Sequence, residues 1–418
     1  MPQGSATKEF SMRLLSIFGM LCCSLAGTLC AADRLAPLPV PLAERFHHDG
    51  RFADGETASL LALDANPADD EARFGLGVIQ FARAVENLSK ALYEYGAMSE
   101  NSTQPFLRLP VPRNDKPATI SYRALGRVLD AFATDLGRAE ATLAGIKNDK
   151  VKLRLRLAKI TFDFAGTGQE RTTLIEILNK LNGGGRFGFQ QGNPEFRGHF
   201  DYGDVAWLRA YCHLLSAMVE GYRSVDEEAG FEERVNRVFP HVETSIRKAD
   251  PAWYFGLTVV DAPRLRRARL HLVAVCELNR ETWKSILAET DDDYEWLPHP
   301  RQLDQLGLPI EKERIEGWLA MMDQWEGFLK GERLLPRNLL NFAHGGHQNH
   351  PRGGLNMKKL LDNPPADLLN WKRLQEKGID AKYLDAEEGK KVLDVNMLFR
   401  SVWMFNGPFG FSYAARMN

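Results

Sequence analysis

The stretch DVAWLRAYCHLLSAMVEGYR, residues 204–223, decides the fold of this chain. Its polar residues recur at steps of four, three, four and three, the period of an α-helix, so they form one narrow stripe. The stripe consists of Arg209, His213, Ser216, Glu220 and Arg223. Almost every other position is apolar, whereas a surface helix hides only about a third to a half of its circumference. We therefore expect this helix to lie between other helices and to supply much of the core.

Helical periodicity recurs along most of the chain. It predicts an all-α fold of packed helical hairpins, partly repeat-like, with long irregular loops. The predicted helices cover residues 56–64, 68–95, 122–143, 149–164, 170–181, 204–223, 227–239, 240–248, 264–287 and 311–330. Within 149–164 charged and apolar residues alternate, which also suits a strand, but the helical flanks favour a helix.

Composition and loop signals divide the chain into five parts. A Pro-rich loop at 105–117 separates two helical regions, because proline interrupts regular structure. The parts are a signal peptide at 1–32, an N-terminal helical hairpin region at 33–104, the loop at 105–117, a helical core region at 118–333 and a loop-rich C-terminal region at 334–418.

The first part has the pattern of a secretory signal. Basic residues precede an apolar run from Leu14 to Leu29, and small residues follow it. The run is shorter than the ~20 residues that span a bilayer, which favours cleavage after Ala31 or Ala32 over an uncleaved anchor. We therefore expect a periplasmic or secreted protein with no membrane span in the mature chain.

Charge and cysteine content bear on the partners and on the disulfides that the chain can have. The net charge of −2 gives no overall attraction to nucleic acid, so no nucleic-acid partner is expected. Once the signal is removed, only Cys212 and Cys276 remain. Both lie in apolar helical patterns, so they are consistent either with one disulfide or with two buried free thiols.

One segment resembles a known family of helical repeats. The sequences LDANP at 63–67 and EARFGLG at 71–77 are similar to the junction between tetratricopeptide repeats. The resemblance covers residues 56–96, and the sequence shows no second copy at the family's spacing of about 34 residues. It implies stacked helical hairpins, which in that family bind peptides and proteins in a concave groove.

A second segment, NFAHGGHQNHPRGG at 341–354, is the most site-like of the chain. Three of the ten histidines, His344, His347 and His350, fall within seven residues. Neutral imidazole binds zinc, copper or nickel, and three such ligands with a water would form a catalytic zinc site. The spacing matches no zinc motif, however, and no acid lies in the loop to orient a ligand. The alternative is a polar loop whose histidines form local hydrogen bonds.

The candidate binding residues are the polar side chains of the helical stripe and of this loop, namely Arg209, His213, Glu220, Asn349 and Arg352. The favoured function is protein or peptide binding, or a structural role in the cell envelope. The main alternative is an enzyme with a metal site built from the three loop histidines. Carbohydrate or polymer binding through exposed Trp and Phe in the loops is a third possibility, although no motif supports it. The sequence identifies no cofactor.

Overall fold

The computed structural model describes most of the chain between residues 40 and 396. The described residues are 40–102, 104–169, 171–181, 197–244, 256–290, 295, 297, 299–302, 311–336, 353–370, 378–389, 391–394 and 396. Because the predicted signal peptide at 1–32 lies outside these ranges, its cleavage stays a prediction.

Helices dominate the described residues, which confirms the mostly helical class. Ten α-helices are present there: α1 Leu42–His48, α2 Phe52–Ala65, α3 Asp70–Glu94, α4 Tyr122–Ala144, α5 Leu174–Leu181, α6 Tyr202–Arg223, α7 Phe231–Val235, α8 Ala262–Ile286, α9 Lys312–Leu329 and α10 Met357–Asp362. None of the described helices combines the length and the apolar composition needed to cross a membrane.

Helix α6 is the centre of the architecture, as the sequence predicts. It begins with a capping box, in which the side chains of Asp201 and Asp204 each accept a hydrogen bond from the other's backbone N–H. None of its residues is exposed, because α4 and α8 pack along it. Leu215 on α6 and Trp283 on α8 are fully enclosed. Ser216 is also buried, although it belongs to the polar stripe.

The segment that resembles a tetratricopeptide junction forms a helical hairpin. Helix α2 ends before Asn66, and α3 begins after Asp69, whose carboxylate accepts a hydrogen bond from the N–H of Ala72 at 2.9 Å. The two helices pack against each other, and α1 packs on both. Asp69 thereby acts as an N-cap, one of the residue types that satisfy free N–H groups at a helix start.

The helix predicted for 149–164 is wrong. Residues Leu153–Arg156 form strand β1, which pairs antiparallel with β4, Arg197–Phe200. Leu153 and Leu155 are buried while the arginines between them are partly exposed, so the alternation was the strand signal. The flanks misled the prediction because the hydrogen-bonding partner lies more than forty residues further along the chain.

The remaining strands are short. They are β2 Thr161–Phe162, β3 Thr172–Thr173, β5 Val225–Asp226, β6 Gly256–Val259, β7 Arg333–Leu334, β8 Gly354–Leu355, β9 Leu369–Asn370, β10 Leu384–Asp385 and β11 Lys391–Val392. Strands β5, β6 and β9 form a three-stranded sheet, and the others form pairs. The fold is therefore less purely helical than the sequence predicts.

Two further helix predictions need correction. Of the helix predicted for 227–239, only α7 at Phe231–Val235 is present. The described residues 240–244 contain no helix. Ile120 forms a bridge with Val242 there, and backbone hydrogen bonds join Ile120 to His241 and Glu243. Pairing with this distant residue takes the backbone groups that a local helix would have used.

The hydrophobic core extends across the Pro-rich loop. One cluster joins Leu88 of α3, Leu125 of α4 and Leu215 of α6 with Phe106 and Leu109 from the loop itself. The loop thus contributes large buried side chains to the core. Helices on either side of it share one packed interior.

Cys212 and Cys276 are free and buried. Cys212 lies on α6 and Cys276 on α8, and they form no disulfide. Burial is the main cause that raises the pKa of the Cys276 thiol to about 12, and it raises that of Cys212 further. Of the two alternatives that the sequence left open, the structure has the buried thiols.

Candidate functional site

The polar stripe of α6 faces α4 and α8, where its charges are paired. The guanidinium of Arg209 donates two hydrogen bonds to Oε1 of Glu140 on α4, at 3.0 and 3.1 Å. Glu220 accepts hydrogen bonds from Arg264 and Arg267 on α8, at 3.0 to 3.2 Å. The sequence-predicted binding residues Arg209 and Glu220 therefore act between helices within the fold.

His213, the third predicted residue of the stripe, contacts another histidine. Its Nδ1 lies 2.8 Å from Nδ1 of His271 on α8, and its Nε2 lies 3.5 Å from Oε1 of Glu140. Burial lowers the pKa of His271, and the neighbouring charge of His213 lowers it further. The short distance requires one Nδ1 to be unprotonated, so the pair links α6 and α8 through a single shared proton.

A second cluster of polar side chains lies at the start of α6. We call it the acidic group; it comprises Asp201, Asp204, Glu289 and Glu295. Carboxylate oxygens of Asp201, Glu289 and Glu295 all lie within 4.8 Å of one another. Asp204 and Glu295 are buried, and Glu289 is half-buried.

The fold supplies these four residues from two places. Asp201 and Asp204 form the capping box that starts α6. Glu289 follows the end of α8, and the backbone of Glu295 forms a bridge with His199 of β4. The α6 start and the α8 end meet closely, since a Cβ atom placed on Gly203 would lie 3.1 Å from the Ile286 side chain.

Asp201, Asp204 and Glu289 each have one carboxylate oxygen that accepts a hydrogen bond. Oδ1 of Asp201 accepts from the N–H groups of Gly203 and Asp204, at 2.7 and 3.2 Å. Oδ2 of Asp204 accepts from the N–H of Asp201 at 3.0 Å, and Oε2 of Glu289 accepts from the Gln302 amide at 3.5 Å. These bonds orient the carboxylates in the way that outer hydrogen bonds orient metal ligands.

The second carboxylate oxygen of Asp204 differs in its hydrogen bonding. Oδ1 of Asp204 is buried and has no hydrogen-bond partner among the described residues. A buried polar atom without a partner is uncommon, because its desolvation is not compensated. Asp204 lies close to the rest of the group, since its charge raises the pKa of Glu289 and the charge of Glu295 raises the pKa of Asp204.

The electrostatics show that four ionised carboxylates cannot coexist here without compensation. Burial raises the pKa of the Asp204 carboxyl well above its usual range, and the charges of Asp201 and Glu295 contribute. Burial also leads the causes that raise the pKa of Glu289 to about 10, followed by the hydrogen bond that its protonated form makes with Asp201. Lys152 pairs with the group, with Nζ 3.7 Å from Oε1 of Glu295.

Sequence reasoning missed the acidic group. The spacing of Asp201 and Asp204 is a helix-start signal, and their predicted role would have been capping. Nothing in the sequence connects them with Glu289 and Glu295, which come after a different helix. The convergence depends on the packing of α6 against α8, which a single sequence does not specify.

The predicted metal ligands His344, His347 and His350 lie outside the described residues, as do Asn349 and Arg352. The metal-binding loop therefore stays a prediction. Comparisons with protein-family models, with curated proteins and with solved structures find no match to this chain. The function must be argued from the site itself.

Proposed function

We propose that this chain binds a divalent metal ion at the acidic group. The observation that carries the proposal is the convergence of three carboxylates, those of Asp201, Glu289 and Glu295, beside a buried, unpartnered oxygen on Asp204. Like charges at this separation repel, and burial strengthens the repulsion. A bound cation replaces this repulsion with attraction, and it supplies the partner that Oδ1 of Asp204 lacks.

A shared proton is the competing explanation. A proton between Asp201 and Glu289 would offset one negative charge, as in other paired carboxyl groups. It would serve that pair alone and would leave Oδ1 of Asp204 without a partner. A metal ion contacts several carboxylates at once, so it accounts for more of the arrangement than the proton does.

At the level of the whole chain, we propose an exported helical protein that binds a protein or peptide or has a structural role in the envelope. The signal-like start and the α2–α3 hairpin, which is repeat-like in sequence, support this role. In this proposal the metal stabilises the helical core that presents the binding surface. The alternative is an enzyme with a metal site at His344, His347 and His350.

Isothermal titration calorimetry on metal-free protein tests the proposal, using CaCl2, MgCl2 and MnCl2 in separate titrations. We expect at least one of these ions to bind with a single site per chain. Glu289→Gln should weaken that binding about tenfold or more, because it removes a charged ligand. The control is Glu316→Gln on α9, an exposed acid remote in sequence from the group, which should bind normally. Failure of all three ions to bind would overturn the proposal.

A further inference from the structure

The ligand types of the acidic group select the kind of metal. Among the described residues, the set that brings three potential ligands within reach of one ion contains only carboxylates. Thiolate and imidazole ligands, which zinc and copper favour, are not members of that set. Oxygen-only sites suit the hard cations calcium, magnesium and manganese.

Burial and ligand number distinguish calcium from magnesium. Calcium accepts six to eight oxygens at flexible distances, whereas magnesium demands near-ideal octahedral geometry and usually keeps several waters around one or two carboxylates. The acidic group offers four carboxylates, and the residues Asp204 and Glu295 are only 3% and 7% exposed. This leaves little room for the waters that magnesium retains.

The charge balance agrees with a divalent ion. Four ionised carboxylates with Lys152 nearby carry a formal charge of about −3, and a divalent ion reduces it to about −1. The hydrogen bonds from the backbone and from Gln302 hold Asp201, Asp204 and Glu289 in place for this contact.

The ligands also come from two ends of the central helix pair. Asp201 and Asp204 belong to the start of α6, while Glu289 and Glu295 follow α8. When these carboxylates are ionised, their charges repel one another and oppose the approach of the two places. With a cation, the same charges join them next to the buried core residues Ile286 and Leu297.

Resting on the proposed function above, we infer that the metal is calcium and that it acts as a structural clamp between the start of α6 and the residues that follow α8. The carboxylates of Asp201, Glu289 and Glu295 are its ligands, and Asp204 adds its charge beside them. Calcium binding should therefore appear as a gain in the stability of the whole fold, since a ligand that binds only the folded state stabilises it by mass action.

Thermal unfolding of the full chain tests this inference, in chelator-treated buffer with CaCl2, with MnCl2 or with a tenfold excess of MgCl2. We expect calcium to raise the unfolding midpoint by several degrees, and magnesium neither to reproduce nor to compete away that shift. Asp204→Asn and Glu289→Gln should each abolish most of the shift, and Glu316→Gln should keep it. Glu289 is only half-buried, so its variant serves if Asp204→Asn does not fold.

The outcomes separate the two levels of the proposal. If magnesium or manganese raises the midpoint as much as calcium does, the calcium assignment is overturned and metal binding stands. If calorimetry detects calcium binding but the midpoint does not move, the clamp is overturned. If no ion binds, both the clamp and the proposed function are overturned.

Discussion

At the start of helix α6, Asp204 completes the capping box through Oδ2, while its other oxygen is buried without a hydrogen-bond partner among the described residues. The capping half of this role is readable from sequence, because Asp201 and Asp204 have the spacing of a helix start. The other half is not, since its partners come from residues beyond α8. The sequence thus shows the capping role of Asp204 and does not show that Asp204 also belongs to the acidic group.

Glu289 gives a prediction whose size depends on metal. Its pKa of about 10 means that it is protonated at pH 7 in metal-free protein, so glutamine closely replaces it. Glu289→Gln should then change the free energy of unfolding by less than ~1 kcal/mol without metal. In saturating calcium the variant should be less stable than the native chain by ~2 kcal/mol or more, because it loses the ligand-linked gain.

Urea unfolding with chelator and with calcium measures both differences. Glu316→Gln is the matched control and should show no dependence on metal, because its side chain is mostly exposed. An equal loss of stability for Glu289→Gln in both buffers would show that Glu289 has a structural role only.

His47 on α1 gives a pH prediction. Both ring nitrogens are buried without a hydrogen-bond partner in the described part of the chain, and the ring packs edge-on against Phe52. Burial, with a smaller contribution from the charge of His48, lowers the pKa of His47 to about 3. The unfolded chain therefore binds a proton at higher pH than the folded chain does, starting near pH ~6.5.

Because the folded pKa of His47 lies below its unfolded pKa, stability falls as the pH falls. The stabilising contribution of neutral His47 is complete above pH ~6.5 and is lost as the pH falls toward 3, by up to ~1.4 kcal/mol per pH unit. His47→Phe should remove that dependence. Urea midpoints of both proteins between pH 7 and pH 4 provide the measurement, and parallel curves would contradict the burial of a neutral ring.

At the scale of elements, the 3.6-residue period predicted α6 well but not the surroundings of its polar stripe. Periodicity shows that Arg209 and Glu220 share a face; it does not show that Glu140, Arg264 and Arg267 meet them there. The prediction at strand β1 was wrong for a related reason, because its partner β4 is distant in sequence. Local patterns predict local structure, while long-range pairing depends on packing.

Two leucines on neighbouring helices test which faces are buried. Leu215 on α6 is 2% exposed and Leu270 on α8 is 49% exposed. Leu215→Asp should cost ~4 kcal/mol or more, because it puts an unpaired charge into the core. Leu270→Asp should change stability by less than ~0.5 kcal/mol. Urea unfolding gives both values, and similar midpoints would mean that the packing of α6 is misassigned.

At the scale of the molecule, composition and periodicity predicted a mostly helical chain, and the helices are observed across the described residues. The sequence also drew attention to the histidine loop, because adjacent ligands are visible in one sequence. The acidic group was invisible, since its members approach only when α6 packs against α8. The two metal hypotheses therefore differ in where the ligands are, and they can be separated.

Elemental analysis of the purified, tag-free chain, before and after chelator treatment, tests the central claim most directly. We predict a single calcium ion per chain, kept when His344, His347 and His350 are all replaced by Ala and lost in the Asp204→Asn, Glu289→Gln double variant. A metal-free chain that does not take up calcium would contradict the account. So would a zinc ion that disappears with the three histidines and stays in the double variant.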